Sequence, residues 1–169
     1  MNDSAKRQRF VEMLVSNKRW IFKIVNSYCR NLEDRKDLEQ EITIHLWNSF
    51  EKYDSNFKYS TWIYRIALNV AISFYRKQKS RPPLVAMTSD DSLFFIADKE
   101  KDDYEWDEKL KFVHNFIGQL DELNKALMLL YLEDKKYEEI AEILGLSKTN
   151  VATKISRLKI KIGEEFNRQ

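Results

Sequence analysis

The chain is 169 residues long, 43% hydrophobic and 33% charged, with 3 Gly, 2 Pro and a single cysteine, enough for one ordinary domain or two small ones. Gly and Pro are too few for a turn-rich β architecture, and the lone Cys29 cannot form an internal disulfide; with no signal core in MNDSAKRQRF and no apolar run of membrane length, an all-α protein is expected, cytoplasmic and without membrane insertion. Residues 1–80 hold 15 Lys+Arg against 9 Asp+Glu (net +6), residues 81–110 hold 4 against 9 (net −5), and residues 111–169 hold 10 against 9 (net +1), so two basic lobes suited to nucleic acid flank an acidic strip.

Residues 4–29 read as a helix in which Phe10 and Leu14 share a face and Trp20, Ile24 and Tyr28 recur at helical spacing. Asn31 breaks the pattern, and Glu33 and Asp34 supply first-turn acids for a second helix to about Phe50, with Leu38, Ile42 and Leu46 on one stripe. A polar and aromatic loop, Glu51 to Tyr59, precedes a third helix that Ser60 is placed to cap and that ends near Lys79. Its expected buried stripe is Ile63, Ile66, Val70 and Phe74. From residue 81 to 105 the period is lost among both prolines and a cluster of Asp and Ser, which predicts a linker with a short turn at Leu93–Ile96. Helical patterning resumes at Trp106–Ile117, Asp121–Leu132, Tyr137–Leu144 and Lys148 to about Phe166. The expected architecture is two small helical domains, 1–80 and 106–169, joined by a flexible acidic linker.

Residues 137–157, YEEIAEILGLSKTNVATKISR, spell a helix-turn-helix. Ile140, Ala141 and Leu144 form an inner face, Gly145 sits where a tight turn needs positive φ, and Ser147 can cap the following helix. On that helix Val151, Ile155, Leu158 and Ile162 stack on one side, while Thr149, Thr153, Ser156 and Arg157 lie opposite, flanked by Lys148, Asn150 and Lys154. From Ser147 to Lys161 there are five basic residues and no acid. These side chains can reach base edges and phosphates if the second helix enters a major groove; the competing explanation is a plain helical hairpin with a solvated basic face.

In the N-terminal lobe Asp37, Gln40 and Glu41 share one polar helix face, which suits docking to a basic or polar partner helix or simply solvent. The loop Tyr53, Asn56, Phe57, Lys58 and Tyr59, with Thr61, Trp62, Arg65, Asn69 and Arg76 on the following helix, interleaves aromatics with cations, as unstacked bases and their phosphates require. Tyr53, Phe57 and Trp62 also fit as core anchors. Residues for enzyme chemistry are not in evidence: there is no Gly-rich phosphate loop, Cys/His metal cluster or nucleophile elbow, and His45 and His114 are far apart in sequence. No catalytic residue, metal or cofactor is expected.

The segments DLEQEITIHLW, YSTWIYRIALNVA and LDELNKALMLLYLEDKKYEEIAEILGLSKTNVATKISRLK, in that order, resemble regions two and four of bacterial RNA polymerase sigma factors of the extracytoplasmic-function subgroup. The resemblance covers roughly residues 10–80 and 106–166. It implies a non-catalytic initiation subunit that binds core RNA polymerase through the clamp helices of the largest subunit and the flap of the second-largest, and that opens promoter DNA. Within region two it implies polymerase binding over about 37–50, by Asp37, Gln40 and Glu41, and minus-ten recognition over about 51–77. The loop Tyr53–Tyr59 matches the one that captures a flipped non-template base, and Thr61, Arg65 and Asn69 match the helix facing the duplex junction. Region four would read the minus-thirty-five element with the helix from Lys148, the acidic linker would enter the polymerase cleft, and an anti-sigma factor is a further partner common in the group. The chain departs from many members at Leu68 and Ala152, where a basic residue is usual. Two other classes fit the residues less fully: a stand-alone dimeric regulator, and an interaction module containing a helical hairpin.

Overall fold

The computed structural model describes residues 3–53, 56, 58–81 and 104–168. Among them, helices are the only regular elements: α1 (Asp3–Tyr28), α2 (Leu32–Ser49), a 3₁₀ turn η1 (Phe50–Lys52), α3 (Tyr59–Lys79), α4 (Tyr104–Gln119), α5 (Glu122–Leu132), α6 (Tyr137–Leu144) and α7 (Lys148–Phe166). The chain separates into two compact units, Met1–Pro82 and Pro83–Gln169. Phe57 and residues 82–103, which include the short turn expected at Leu93–Ile96, lie outside the described residues.

In the first unit α3 packs on both α1 and α2, and α1 on α2. The stripe Leu38, Ile42 and Leu46 of α2 is fully buried, as are Ile24 of α1 and Ile63 of α3. Burial of a single aliphatic side chain of this size is worth about 1.5–3 kcal/mol, so these stripes fix the register of the three helices. The Asn31 side chain caps α2 by accepting from the Asp34 N–H at 2.8 Å. Arg35, one turn into α2, donates to the carbonyls of Cys29 at 3.1 Å and Arg30 at 3.0 Å. It thereby satisfies acceptors at the end of α1, where a cation also suits the helix dipole.

Three local expectations are corrected. Helix α3 starts at Tyr59 with Lys58 in the capping position, and Ser60 lies inside the first turn. Its buried arc is wider than one stripe: Thr61, Tyr64, Ala67, Leu68 and Ala71 are buried besides Ile63, Val70 and Phe74, and Ile66 is only half-buried. The buried arc of α3 thus takes in rows on either side of the expected stripe, which a single period-four row does not capture. On α6, Ile143 rather than Leu144 completes the buried face with Ile140 and Ala141.

In the second unit α7 packs on α6 and α5, with α4 against both α5 and α7. Asp121 caps α5, its carboxylate accepting from the backbone N–H of Leu123 at 3.1 Å and of Asn124 at 2.9 Å. Lys125, only 2% exposed, points its ammonium at the Gly118 carbonyl near the end of α4, 3.5 Å away.

Candidate functional site

The turn between α6 and α7 is built by backbone handedness. Gly145 has φ 67° and ψ 34°, the left-handed region that costs glycine nothing. The N–H of Leu146 then bonds the Ala141 carbonyl at 2.9 Å, closing the end of α6. Two residues on, the Ser147 hydroxyl accepts from the Asn150 N–H at 3.1 Å and starts α7. Val151 and Ile155 are fully buried, and Leu158 nearly so. Fixing these three inward leaves Thr149, Asn150, Thr153, Ser156 and Arg157 exposed. Lys154 is half-buried, and its charge helps depress the Asp121 carboxyl pKa.

The five-cation run is not a uniform basic face. Lys148 is ion-paired with Glu138 of α6, a contact whose hydrogen bond also lowers the Glu138 pKa. Lys159 lies 5.3 Å from the Tyr131 ring centroid, and a hydrogen bond with Tyr131 raises its pKa. Lys161 sits 5.9 Å over the Phe116 ring. Lys159 and Lys161 therefore brace α7 against α5 and α4. The Glu138–Lys148 pair was not anticipated from the sequence. An acid in the first turn of α6 and a base in the first turn of α7, ten positions apart across a tight turn, was its available signal.

In the first unit Asp37 and Gln40 are exposed and Glu41 is half-buried, while Leu38 and Ile42 on the opposing face are fully buried. The polar row expected on α2 is thus on the outside of the unit. Past η1, Tyr53, Tyr59 and Trp62 form one aromatic shelf. Tyr59 stacks on Trp62 with ring centroids 5.6 Å apart and an interplanar angle of 15°. Tyr53 meets both edge-on, at 4.8 Å from Tyr59 and 5.5 Å from Trp62. All three rings are half-buried, so the shelf is neither core nor free surface. Burial, then the neighbouring Tyr53, push the Tyr59 phenol above its ordinary pKa.

Asn56 and Lys58 are exposed, and so are Arg65, Asn69 and Arg76 along α3. Thr61 is not with them: it is 5% exposed, against the outer placement expected for it. Leu68, where a basic residue is usual in the group it resembles, is fully buried, so it presents nothing to a ligand. His45 is exposed and Cys29 is buried. Among the described residues no group of three or more His, Cys, Asp and Glu could hold a metal ion, and no helix is long and apolar enough to cross a membrane.

Comparison with known proteins matches the sequence of both units to one group. Residues 13–81 match the family model of Sigma-70 region 2, and residues 113–162 that of Sigma-70, region 4. The chain is 30% identical to RNA polymerase sigma factor SigV of Bacillus subtilis over 148 residues, covering 87% of this chain and 84% of the relative. It is 31% identical to the ECF RNA polymerase sigma-E factor of Haemophilus influenzae over 134 residues, 75% of this chain and 71% of that one. The fold also matches a solved structure of the sigma factor RpoE in complex with the anti-sigma factor NepR from Bartonella quintana, with a TM-score of 0.70 at 18% identity, over 95% of this chain and 98% of that chain. The chain belongs to the extracytoplasmic-function sigma factors, the initiation subunits that direct RNA polymerase to promoters.

Proposed function

We propose that the two units divide promoter recognition between duplex and opened DNA. The second unit, through its domain from about 106 to 169, places α7 in the major groove of the minus-thirty-five element, with Thr149, Asn150 and Thr153 toward base edges. Ser147, Lys148, Lys154, Ser156 and Arg157 hold phosphates or flanking bases. The first unit, 1–80, docks on the clamp helices of core polymerase through Asp37, Gln40 and Glu41. Its aromatic shelf, with Asn56 and Lys58, receives the separated minus-ten strand, and Arg65, Asn69 and Arg76 follow the adjoining duplex. Residues 81–105 act as the acidic connection between them. Strand opening draws on contacts made only with opened DNA, so the chain itself catalyses no reaction. It works in the cytoplasm, where the polymerase is. An anti-sigma factor is proposed as a further partner, since the RpoE of the solved neighbour is held by NepR.

The observation that carries this reading is the separation on α7 of buried Val151, Ile155 and Leu158 from exposed Thr149, Asn150, Thr153, Ser156 and Arg157. A merely solvated face would admit acids as readily as bases, whereas Ser147 to Lys161 holds five basic residues and no acid, as a phosphate-facing helix requires. The test is binding and transcription on a promoter library, with the purified chain alone and reconstituted with core polymerase. Promoter-specific initiation that requires both components is expected. Tight operator binding by a dimer of the chain, indifferent to polymerase, would replace the proposal with the stand-alone regulator.

A further inference from the structure

A notch of about 370 Å³ lies between the α4–α5 corner and the middle of α7. Gln119, Asp121 and Asn124 line it at the corner, and Lys154, Arg157 and Lys161 line it on α7. The three cations stand at i, i+3 and i+7, so they form one row of the helix, beside the exposed row of Thr153 and Ser156. Lys161 is partly engaged, 4.0 Å from Glu165 and 5.9 Å over the Phe116 ring. Lys154 and Arg157 form no ion pair among the described residues, whereas Lys148 and Lys159 are engaged by Glu138 and Tyr131. Asp121 is the one acid among the lining residues. Its oxygens are taken by the Leu123 and Asn124 N–H groups and, at 2.5 Å, by the Asn124 amide. Attraction for an anion therefore comes from the α7 row and not from the start of α5.

We propose that this notch seats one phosphate of the duplex, shared by Lys154 and Arg157, so that the α4–α5 corner rests on the promoter backbone together with the helix-turn-helix. This deepens the reading of α7 given under Proposed function and rests on it. A helix in a major groove meets phosphates along its flanks, and such contacts fix its register on the duplex. The guanidinium fork can take two phosphate oxygens, and the ammonium acts on the same group as a point charge. A recess holds that phosphate in one place, which a flat basic face does not.

The test uses full-length variants in reconstituted holoenzyme on duplex upstream fragments, with one phosphate at a time replaced by a neutral methylphosphonate. Lys154→Ala and Arg157→Ala are each expected to weaken binding roughly three- to tenfold, with melting as in wild type. One methylphosphonate position should weaken wild type and leave both variants indifferent. Each single variant and the double variant should lose the same salt slope, about 0.9, because one phosphate is involved. Asp121→Asn keeps a capping oxygen and removes the opposing charge, so it should tighten binding roughly two- to fivefold, and Asp134→Asn, at the α5–α6 turn, should not. Coupling of the two residues to different phosphates, or a double-variant slope loss of about 1.8, overturns the shared seat. So does equal tightening by Asp134→Asn, or wild-type binding by both alanine variants. If Thr153→Ala still alters promoter preference in that last case, the reading of α7 stands without the notch; if it does not, that reading fails as well.

Discussion

Thr153 offers the sharpest test of how promoter bases are read. Its hydroxyl donates to the Thr149 carbonyl at 2.9 Å, so its proton is spent inside α7. What remains for DNA is an acceptor lone pair and a methyl group. That combination suits the amino group of cytosine or adenine, or the thymine methyl. Thr153→Ala removes both features, Thr153→Val removes only the acceptor, and Thr153→Ser removes only the methyl. A neutral hydrogen bond is worth about 0.5–1.5 kcal/mol, roughly two- to thirteenfold in affinity. Burial of a methyl-sized group contributes about 0.8 kcal/mol, roughly fourfold. Thr153 is exposed, so its replacement should change folding stability by no more than about 0.5 kcal/mol. The assay is holoenzyme transcription from a library of upstream elements, with melting temperatures alongside. Altered preference at one or two adjacent positions is expected, and the Val and Ser variants identify which feature was read. Wild-type preference and affinity in all three variants, with unchanged melting, would refute the assignment of α7 as the reading helix.

Arg157→Ala should weaken promoter binding evenly across the library and reduce its salt slope by about 0.9, the value of one phosphate contact on duplex DNA; an unchanged slope counts against a phosphate role. Glu41→Lys should lose core polymerase in a pull-down while melting normally. The cost is about 1 kcal/mol or less if Glu41 stays solvated in the complex and several if it is desolvated, and equal recovery at moderate salt would sink the docking face. Asp121→Ala should cost about 1 kcal/mol by removing the cap of α5. Burial alone would raise the Asp121 pKa, but hydrogen bonds from Asn124 and Leu123, with the charge of Lys154, bring it below the ordinary carboxylate value. The cap's charge-dependent contribution is therefore fully present above the unfolded-state pKa and is lost as pH falls through the folded one. Melts at neutral and strongly acid pH should show the wild-type advantage shrinking in acid; a pH-independent difference would contradict it.

Legibility in the sequence followed the strength of local punctuation. The end of α6 and the start of α7 were readable to the residue because Gly145 and Ser147 are stop and start signals with one residue between them. Leu38, Ile42 and Leu46 were readable because α2 buries one stripe against the unit. The start of α3 was not, because Lys58 caps it by position without a side-chain bond, and Ser60 looked the better candidate. Thr61 was misplaced for a related reason: its hydroxyl suggested an outer face, but the packing of α3 on both α1 and α2 draws the first turn inward. The aromatic shelf was half legible. Composition pointed to Tyr53, Tyr59 and Trp62, but only folding shows that the three rings meet one another. The role of Lys6 in pairing Glu51 depends on a contact forty-five positions away, for which no local pattern exists.

The division of labour along α7 bears on how such a protein can diverge. Val151, Ile155 and Leu158 hold the helix, and none of them belongs to the exposed row. If α7 reads promoter bases as proposed, exchanges at Thr153 or Ser156 are nearly neutral for folding, and a duplicated copy can drift toward new promoters without crossing a stability threshold. The freedom stops at the start of the helix. Ser147 closes the cap through Asn150, and Lys148 is tied to Glu138, so a change there disturbs the architecture of the turn itself. Innovation in promoter choice should therefore concentrate one turn or more into α7, with its first residues held nearly constant by the fold.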